Sequence, residues 1–188
     1  MLAHLPVLQV IVPLIAAPCC LMIRSPAVVG RFVQLATLAT LIISLGLVRE
    51  VLEQGVLSYA LGGWQAPWGI EYRIDPLNVY LLVLVSLLGT IVIFAAPTSI
   101  KSEIAEDKQT YFYVAYLLCF AGLLGILATG DAFNVFVFLE ISSLSSYTLI
   151  ALGQDRRALW ASYQYLIMGT IGATFILIGI GLMYMMTG

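Results

Sequence analysis

Stretches of about 20 apolar residues recur along the whole chain, and they constrain its fold more than any other feature. A helix of that length spans the hydrocarbon core of a bilayer. The chain has 188 residues, of which 62% are hydrophobic and 10% charged, and its mean hydropathy is +1.04. A soluble domain of this size could not remove so much apolar surface from water. The sequence therefore predicts an all-α, polytopic membrane protein.

Short polar connections separate the apolar windows, and each window predicts one transmembrane helix. The predicted helices 1 to 6 are 5–23, 30–48, 77–96, 111–128, 131–152 and 158–186. Residues 1–109 would contain helices 1 to 3 with one long connection at 49–75, and residues 110–188 would contain helices 4 to 6. Glycines and tryptophans in the long connection predict a hairpin or a loop at headgroup depth, with Trp64 and Trp68 at the interface.

Lysines and arginines are concentrated in alternate connections, and this distribution predicts the orientation. Arg49 and Arg73 lie on one side of the membrane. The connections on the other side hold Arg24, Arg31, Lys101, Lys108, Arg156 and Arg157. The side richer in positive charge is expected to be cytoplasmic. The chain is thus predicted to be a multi-pass protein of the inner (plasma) membrane, with both termini and the 49–75 connection outside the cytoplasm.

Charge and cysteine patterns exclude several functional classes. The net charge is −2 without a basic run, so no nucleic-acid partner is expected. Cys19, Cys20 and Cys119 lie inside apolar windows without metal-ligand spacing, which predicts packing roles. No cluster of cysteine or histidine suits haem, flavin or an iron–sulfur centre, and no cofactor is expected. The sequence also has no nucleophile elbow, metal triad or phosphate loop, so the chain is not expected to be an enzyme by itself.

Glu140 is the acidic residue that lies far from both ends of a predicted helix. It falls in the middle of helix 5, about 14 Å from the nearer end at a rise of about 1.5 Å per residue. An ionised side chain at that depth costs at least about 2.5 to 3.5 kcal/mol, and such residues mark ion or proton routes. The sequence predicts Glu140 as a buried site of proton or cation transfer. The alternative is a neutral glutamic acid that locks helices together by a hydrogen bond.

Three further side chains of helix 5 are candidates for supporting roles. Ser143 and Tyr147 lie one and two turns beyond Glu140 on the same face, and their hydroxyls could hydrogen-bond a carboxyl group or an ordered water. Asp131 stands at the start of the helix after Gly130, where a carboxylate can cap the helix. Capping is favoured over a role in ion entry.

Small residues spaced four or seven apart predict close contacts between helices. Ala121 and Gly125 form such a pair on helix 4, and Gly172 and Gly179 share one face of helix 6. Both pairs are expected to face another helix.

The segment from Gly130 to Glu140 (GDAFNVFVFLE), followed by Ser146, Tyr147 and Gly153, resembles the fifth helix of a known family. These are the antiporter-like subunits shared by Mrp-type cation/proton antiporters, membrane-bound hydrogenases and respiratory complex I, and the Mrp D-type subunit is the most similar of them. The resemblance covers most of the chain. It includes Gly63, Trp64, Pro67, Gly69, Ile70, Asp75 and Tyr165.

The resemblance implies a subunit of about fourteen helices, built on two inverted repeats of five, with both termini on the outer side. Residues 110–188 would then begin the first repeat. In the family the helix-5 glutamate pairs with a lysine on a broken seventh helix, and later lysines or histidines continue a polar axis. Glu140 matches that glutamate, whereas the lysines have no counterpart in this sequence. A second polypeptide that supplies the missing helices and lysines is expected, or else a truncated product.

Three functions follow as hypotheses. The first is an ion-transport subunit of a cation/proton antiporter, in which Glu140 changes protonation and the ions are protons with sodium or potassium. The second is the equivalent proton-pumping subunit of a redox-driven complex of the complex I or hydrogenase type. The third is a structural or assembly subunit. The expected partners are other membrane subunits and the lipid bilayer.

Overall fold

The computed structural model describes residues 4–23, 25–64 and 68–187. Within them the chain forms seven α-helices and one β-hairpin. The elements are α1 (Leu5–Cys20), α2 (Pro26–Gln54), β1 (Leu57–Ala60), β2 (Glu71–Ile74), α3 (Pro76–Ala95), α4 (Pro97–Glu103), α5 (Gln109–Ala128), α6 (Ala132–Ala151) and α7 (Arg156–Thr187). Arg24, which contributed to the predicted orientation, and Pro67, which contributed to the family resemblance, lie outside the described residues.

The predicted all-α, multi-pass architecture is confirmed. In the described part of the chain, five helices are long and apolar enough to cross a membrane, namely α2, α3, α5, α6 and α7. The first predicted helix is the shorter α1, whose 16 residues extend about 24 Å at 1.5 Å per residue. Predicted helix 5 corresponds to α6, because the short α4 lies between α3 and α5.

Local sequence signals set the ends of the helices. Prolines stand in the first turn of α1, α2 and α3, where the missing N–H group costs nothing. Asp75 caps α3, since its Oδ1 accepts a hydrogen bond of 2.8 Å from the N–H of Asn78. Gly55 ends α2 with φ at 80°, a backbone conformation that glycine adopts readily. Helix α2 therefore continues beyond the predicted end at residue 48.

The connection between α2 and α3 forms the predicted hairpin. Strands β1 and β2 pair in antiparallel register, with Leu57 opposite Ile74. Trp64 and Trp68 are 69% and 87% exposed, as expected for side chains at headgroup depth. The N–H of Gly130 donates a 2.9 Å hydrogen bond to the Glu71 carbonyl. The hairpin is thereby attached to the turn that precedes α6.

Two clusters of buried apolar side chains lie at the two ends of the helix bundle. The cluster near the hairpin joins α1, α2, α3, α5 and α6 and includes Leu47, Tyr72 and Phe138. The other cluster lies near the α1–α2 and α3–α4 connections and includes Val33 and Leu117. Helix α5 contributes to both clusters and contacts α1, α2, α3 and α6, so it is the central helix of the bundle.

Glycines allow α5 and α6 to approach closely. A Cβ atom on Gly122 would lie 2.7 Å from the backbone nitrogen of Ser142. A Cβ atom on Gly125 would overlap the ring of Phe138. The prediction that Ala121 and Gly125 face another helix is confirmed, since Ala121 is fully buried as well.

Helix α7 is largely uncovered. It packs mainly on α6, and only 6% of its most apolar window is buried. No atom of the described residues lies within 4 Å of a Cβ atom built on Gly172 or Gly179. The expectation that this pair faces another helix is therefore not met by the described part of the chain.

Replacing Gly125 by alanine should destabilise the protein, because the added methyl group displaces the Phe138 ring; overpacking of this kind costs about 1 to 3 kcal/mol. The melting temperature of the purified chain in detergent measures the effect. Gly172→Ala is the matched control, since open space surrounds that position and alanine is the better helix former. Equal melting temperatures for the two variants would contradict the proposed α5–α6 contact.

Candidate functional site

Asp131 caps the helix that carries the candidate site. Its Oδ2 accepts a 2.8 Å hydrogen bond from the N–H of Asn134, which satisfies one free donor of the first turn of α6. The capping interpretation is confirmed. A role of Asp131 in ion entry stays a prediction.

Thr129 and Asn134 reinforce the same turn. The Nδ2 of Asn134 donates to the Thr129 hydroxyl at 2.9 Å, and the N–H of Asp131 donates to it at 3.3 Å. Both Thr129 and Asn134 are buried. The start of α6 is therefore held by a small polar network, of which sequence reasoning identified only Asp131.

Tyr72 of the hairpin packs onto this helix. Its ring lies 6.4 Å from the ring of Phe138, measured between centroids, and its backbone pairs with Thr129. The side chain is 4% exposed, and burial raises the pKa of its hydroxyl to about 12. Tyr72 stays neutral and serves to fix the hairpin against α6.

Glu140 is the ninth residue of the 20-residue α6, about 12 Å along the helix from its first residue. It lies in the middle of the helix, as the sequence predicted. Its side chain is half-buried among the described residues, so its burial at mid-membrane depth stays a prediction. Helix α6 packs chiefly against α5 and α7, and coverage near Glu140 is incomplete, since the neighbouring side chains of Val137 and Leu144 are exposed.

The carboxylate of Glu140 has no hydrogen bond within residues 4–23, 25–64 and 68–187. The ion pair found in this part of the chain joins Arg49 and Glu53 at 2.9 Å, and it lies on the exposed end of α2. A helix-locking hydrogen bond from Glu140, which the packing alternative requires, is likewise not formed among these residues.

Ser143 and Tyr147 differ in what they contact. Ser143 is half-buried, and its hydroxyl makes no hydrogen bond to the described residues. Tyr147 is 7% exposed and packs against α7, with its ring 4.7 Å from that of Tyr165 and its hydroxyl against Gly169. Its carbonyl accepts a 2.7 Å hydrogen bond from the Ser162 hydroxyl. The structure therefore leaves Ser143 half-buried without a described partner and places Tyr147 in the α6–α7 interface.

Sequence reasoning missed a second carboxylate, Glu50. It is 9% exposed and lies in the last turns of α2, which the sequence assigned to a connection. The buried positions of this helix include Thr40, Ser44, Leu47 and Val51 at helical spacing. That periodicity continues past residue 48 and was the signal for a longer helix.

Sequence reasoning also missed a buried polar cluster that joins α1, α2 and α3. The Nε2 of Gln9 donates to the hydroxyls of Ser44 at 2.6 Å and Ser86 at 3.1 Å, and these hydroxyls are 2.7 Å apart. All three side chains are fully buried. Because bonds between polar side chains fix helices in lipid, this cluster holds the three helices in register.

Among the described residues, no three His, Cys, Asp or Glu side chains form a group suited to a metal ion. The structure places one carboxylate, that of Glu140, in the middle of α6. The fold is that of a polytopic α-helical membrane protein with an acidic, half-buried side chain in the middle of one long apolar helix.

Known proteins resemble this chain. Residues 129–188 match the family model described as NADH:quinone oxidoreductase/Mrp antiporter, TM. The N subunit of the NADH-quinone oxidoreductase of Desulforudis audaxviator is 46% identical over the whole chain. The D subunit of the Na(+)/H(+) antiporter of Alkalihalophilus pseudofirmus is 31% identical over 98% of the chain. The chain spans 38% and 37% of the length of these two relatives.

Solved structures agree with the sequence relatives. An archaeal membrane-bound sulfane sulfur reductase contains a chain that superposes with a TM-score of 0.86 at 27% identity. The Mrp complex of Dietzia sp. contains one with a TM-score of 0.85 at 25% identity. Both cover all of this chain, which spans 37% and 35% of theirs. The predicted resemblance is confirmed at the level of the family, since this chain is similar to the N-terminal portion of antiporter-like membrane subunits. The expectation that the Mrp D-type subunit is the most similar is not met, because the identity to the N subunit is higher, 46% against 31%.

Two substitutions of Asp131 distinguish its role as a helix cap from the effect of its charge. Asp131→Ala should lower the free energy of unfolding by about 1 kcal/mol, because the first turn of α6 loses its acceptor. Asp131→Asn should change it little, since asparagine is an equally good cap without the charge. Denaturation in detergent micelles measures both. Equal destabilisation by the two variants would show that the charge, and not the cap, stabilises this turn.

Proposed function

We propose that this chain is part of an ion-transport subunit of a proton- or cation-translocating membrane complex, with Glu140 as the protonation site. The observation that carries the proposal is the position of this carboxylate in the middle of α6, without a hydrogen bond or ion pair to the described residues. A carboxylate at that depth is costly unless it binds a proton or faces a cation. The names of the relatives support the same class of function.

The other residues of α6 take supporting roles in this proposal. Ser143 lies one turn from Glu140, and its hydroxyl makes no hydrogen bond to the described residues, so it is free to hydrogen-bond a carboxyl group or a water. Tyr147 positions α7 beside the site. Asp131 sets the start of α6. A further role of Asp131 in ion entry is part of the proposal.

The proposed partners are other membrane subunits and additional helices that carry the cationic partner of Glu140. The long, uncovered α7 supports this part of the proposal, because it offers an apolar face beside the site. The ions are protons, with sodium or potassium as candidates for exchange. The proposed location is the plasma membrane with both termini outside the cytoplasm, as the distribution of lysine and arginine favours.

A redox-driven complex is a second candidate for the assembly. It is favoured by the identity of 46% to a chain of an NADH-quinone oxidoreductase, which exceeds the 31% to a chain of a Na(+)/H(+) antiporter. The chemistry asked of Glu140 is the same in both assemblies. Mass spectrometry of the proteins that co-purify with the tagged chain from its host distinguishes them: Mrp-type subunits favour the antiporter, and iron–sulfur or hydrogenase subunits favour the redox pump.

Glu140→Gln should reduce ion-coupled proton movement by about tenfold or more, because the amide keeps the shape of the side chain but cannot exchange a proton. The assay uses everted vesicles from the native host, in which the whole complex is assembled. Glu103→Gln is the matched control, since Glu103 is exposed at the end of α4 and should leave transport unchanged. Normal transport by the Glu140 variant, at equal amounts of assembled complex, would support a structural role instead.

A further inference from the structure

A polar cavity of about 250 Å³ lies at the end of the bundle where α2 begins, α3 passes into α4, and α5 begins. Its lining includes two cations, Arg31 and Lys101, and the polar side chains of Gln34, Gln109 and Tyr113. One ordered water needs only about 10 to 15 Å³ of such space. The cavity is therefore large enough for a polar group much larger than water.

The charge of this cavity is positive. Neither Arg31 nor Lys101 forms an ion pair with a described carboxylate, and no aspartate or glutamate of the described residues lines the cavity. Glu103 at the end of α4 and the acidic residues of the α4–α5 connection, Glu106 and Asp107, are exposed to solvent outside the cavity. Two cations that share one cavity without a counter-charge favour an anionic ligand.

Two buried polar side chains form the inner wall. Tyr113 is 6% exposed, lies against Gly30, and its hydroxyl makes no hydrogen bond to the described residues. Gln109 is 9% exposed; its Nε2 donates to the Ile104 carbonyl at 3.3 Å. The hydroxyl oxygen itself remains accessible at the cavity wall, so the Tyr113 hydroxyl is a donor available to a ligand.

The start of α2 adds backbone donors to the same cavity. Pro26 and Ala27 line it, and the N–H of Ala27 makes no hydrogen bond to the described residues. Ser25 does not cap the helix through its side chain. The first turn of a helix carries partial positive charge and attracts anions, especially phosphate groups.

We propose that this cavity binds the phosphate group of an anionic membrane phospholipid. Arginine, lysine, a tyrosine hydroxyl and a helix N-terminus together match the acceptor oxygens of a phosphodiester. The cavity also lies at the level of the helix ends, on the side where lysines and arginines are concentrated. That side is predicted to face the cytoplasm, where the leaflet carries anionic lipids and basic cavities between helices bind their headgroups.

The test is a lipid titration of the delipidated full chain in neutral detergent, followed by native mass spectrometry. Phosphatidylglycerol should bind, and phosphatidylcholine, which has no net charge, should bind at least about tenfold more weakly. Arg31→Gln together with Lys101→Gln should weaken phosphatidylglycerol binding about tenfold or more. Tyr113→Phe keeps the packed ring and should weaken it about threefold through loss of one hydrogen bond.

The matched control is Arg156→Gln with Arg157→Gln, which removes the same charge from exposed residues at the predicted cytoplasmic side, outside the cavity. It should change phosphatidylglycerol binding less than about twofold. Equal losses in the two double variants, or equal binding of the two lipids, would overturn the proposal. Binding of inorganic phosphate without binding of phosphatidylglycerol would also overturn it, since the site would then serve a free anion.

Discussion

The hydrocarbon core of a bilayer offers no water to hydrogen-bond, so each backbone N–H and C=O group in it must pair within the protein. This constraint explains why the spanning segments are helices and why the strands are confined to the α2–α3 connection. The same constraint applies to polar side chains in the hydrocarbon core. The hydroxyls of Thr40, Ser44 and Ser145 donate to carbonyls four residues earlier in their own helices. Glu140, in contrast, has no such partner among the described helices.

The open position of Glu140 depends on a well-ordered framework around it. Gly122 and Gly125 let α6 lie directly against α5, and the hairpin attaches through Glu71 and Gly130 to the turn before α6. The position of the carboxylate is therefore fixed by the packing of α6 against α5 and by the cap and hydrogen bonds at the start of α6. In the proposed function, a carboxylate without a described partner on a rigid helix is suited to an ion-transfer step, because a proton or a cationic side chain can approach it.

Much of the fold could be predicted from the sequence, because apolar windows, prolines and caps act locally. These local signals predicted the spans, the cap by Asp131, the hairpin and the close packing at Gly125. Burial was harder to predict, since it depends on which helices are neighbours. For this reason Glu140 was expected to be buried but is only half-buried among the described residues, whereas Glu50 was assigned to a connection but is buried inside an extended α2. The cluster of Gln9, Ser44 and Ser86 joins three helices and has no signature within any one of them.

The most direct test of Glu140 as a protonation site is infrared difference spectroscopy of the protein in lipid as the pH is changed. A protonated carboxyl group has a carbonyl band that a carboxylate lacks. The proposal predicts a carboxyl band that disappears as the pH rises and that is absent from the Glu140→Gln variant. A pH-dependent spectrum that is the same in the variant and the native protein would show that Glu140 does not exchange protons and would contradict the assigned function of this site.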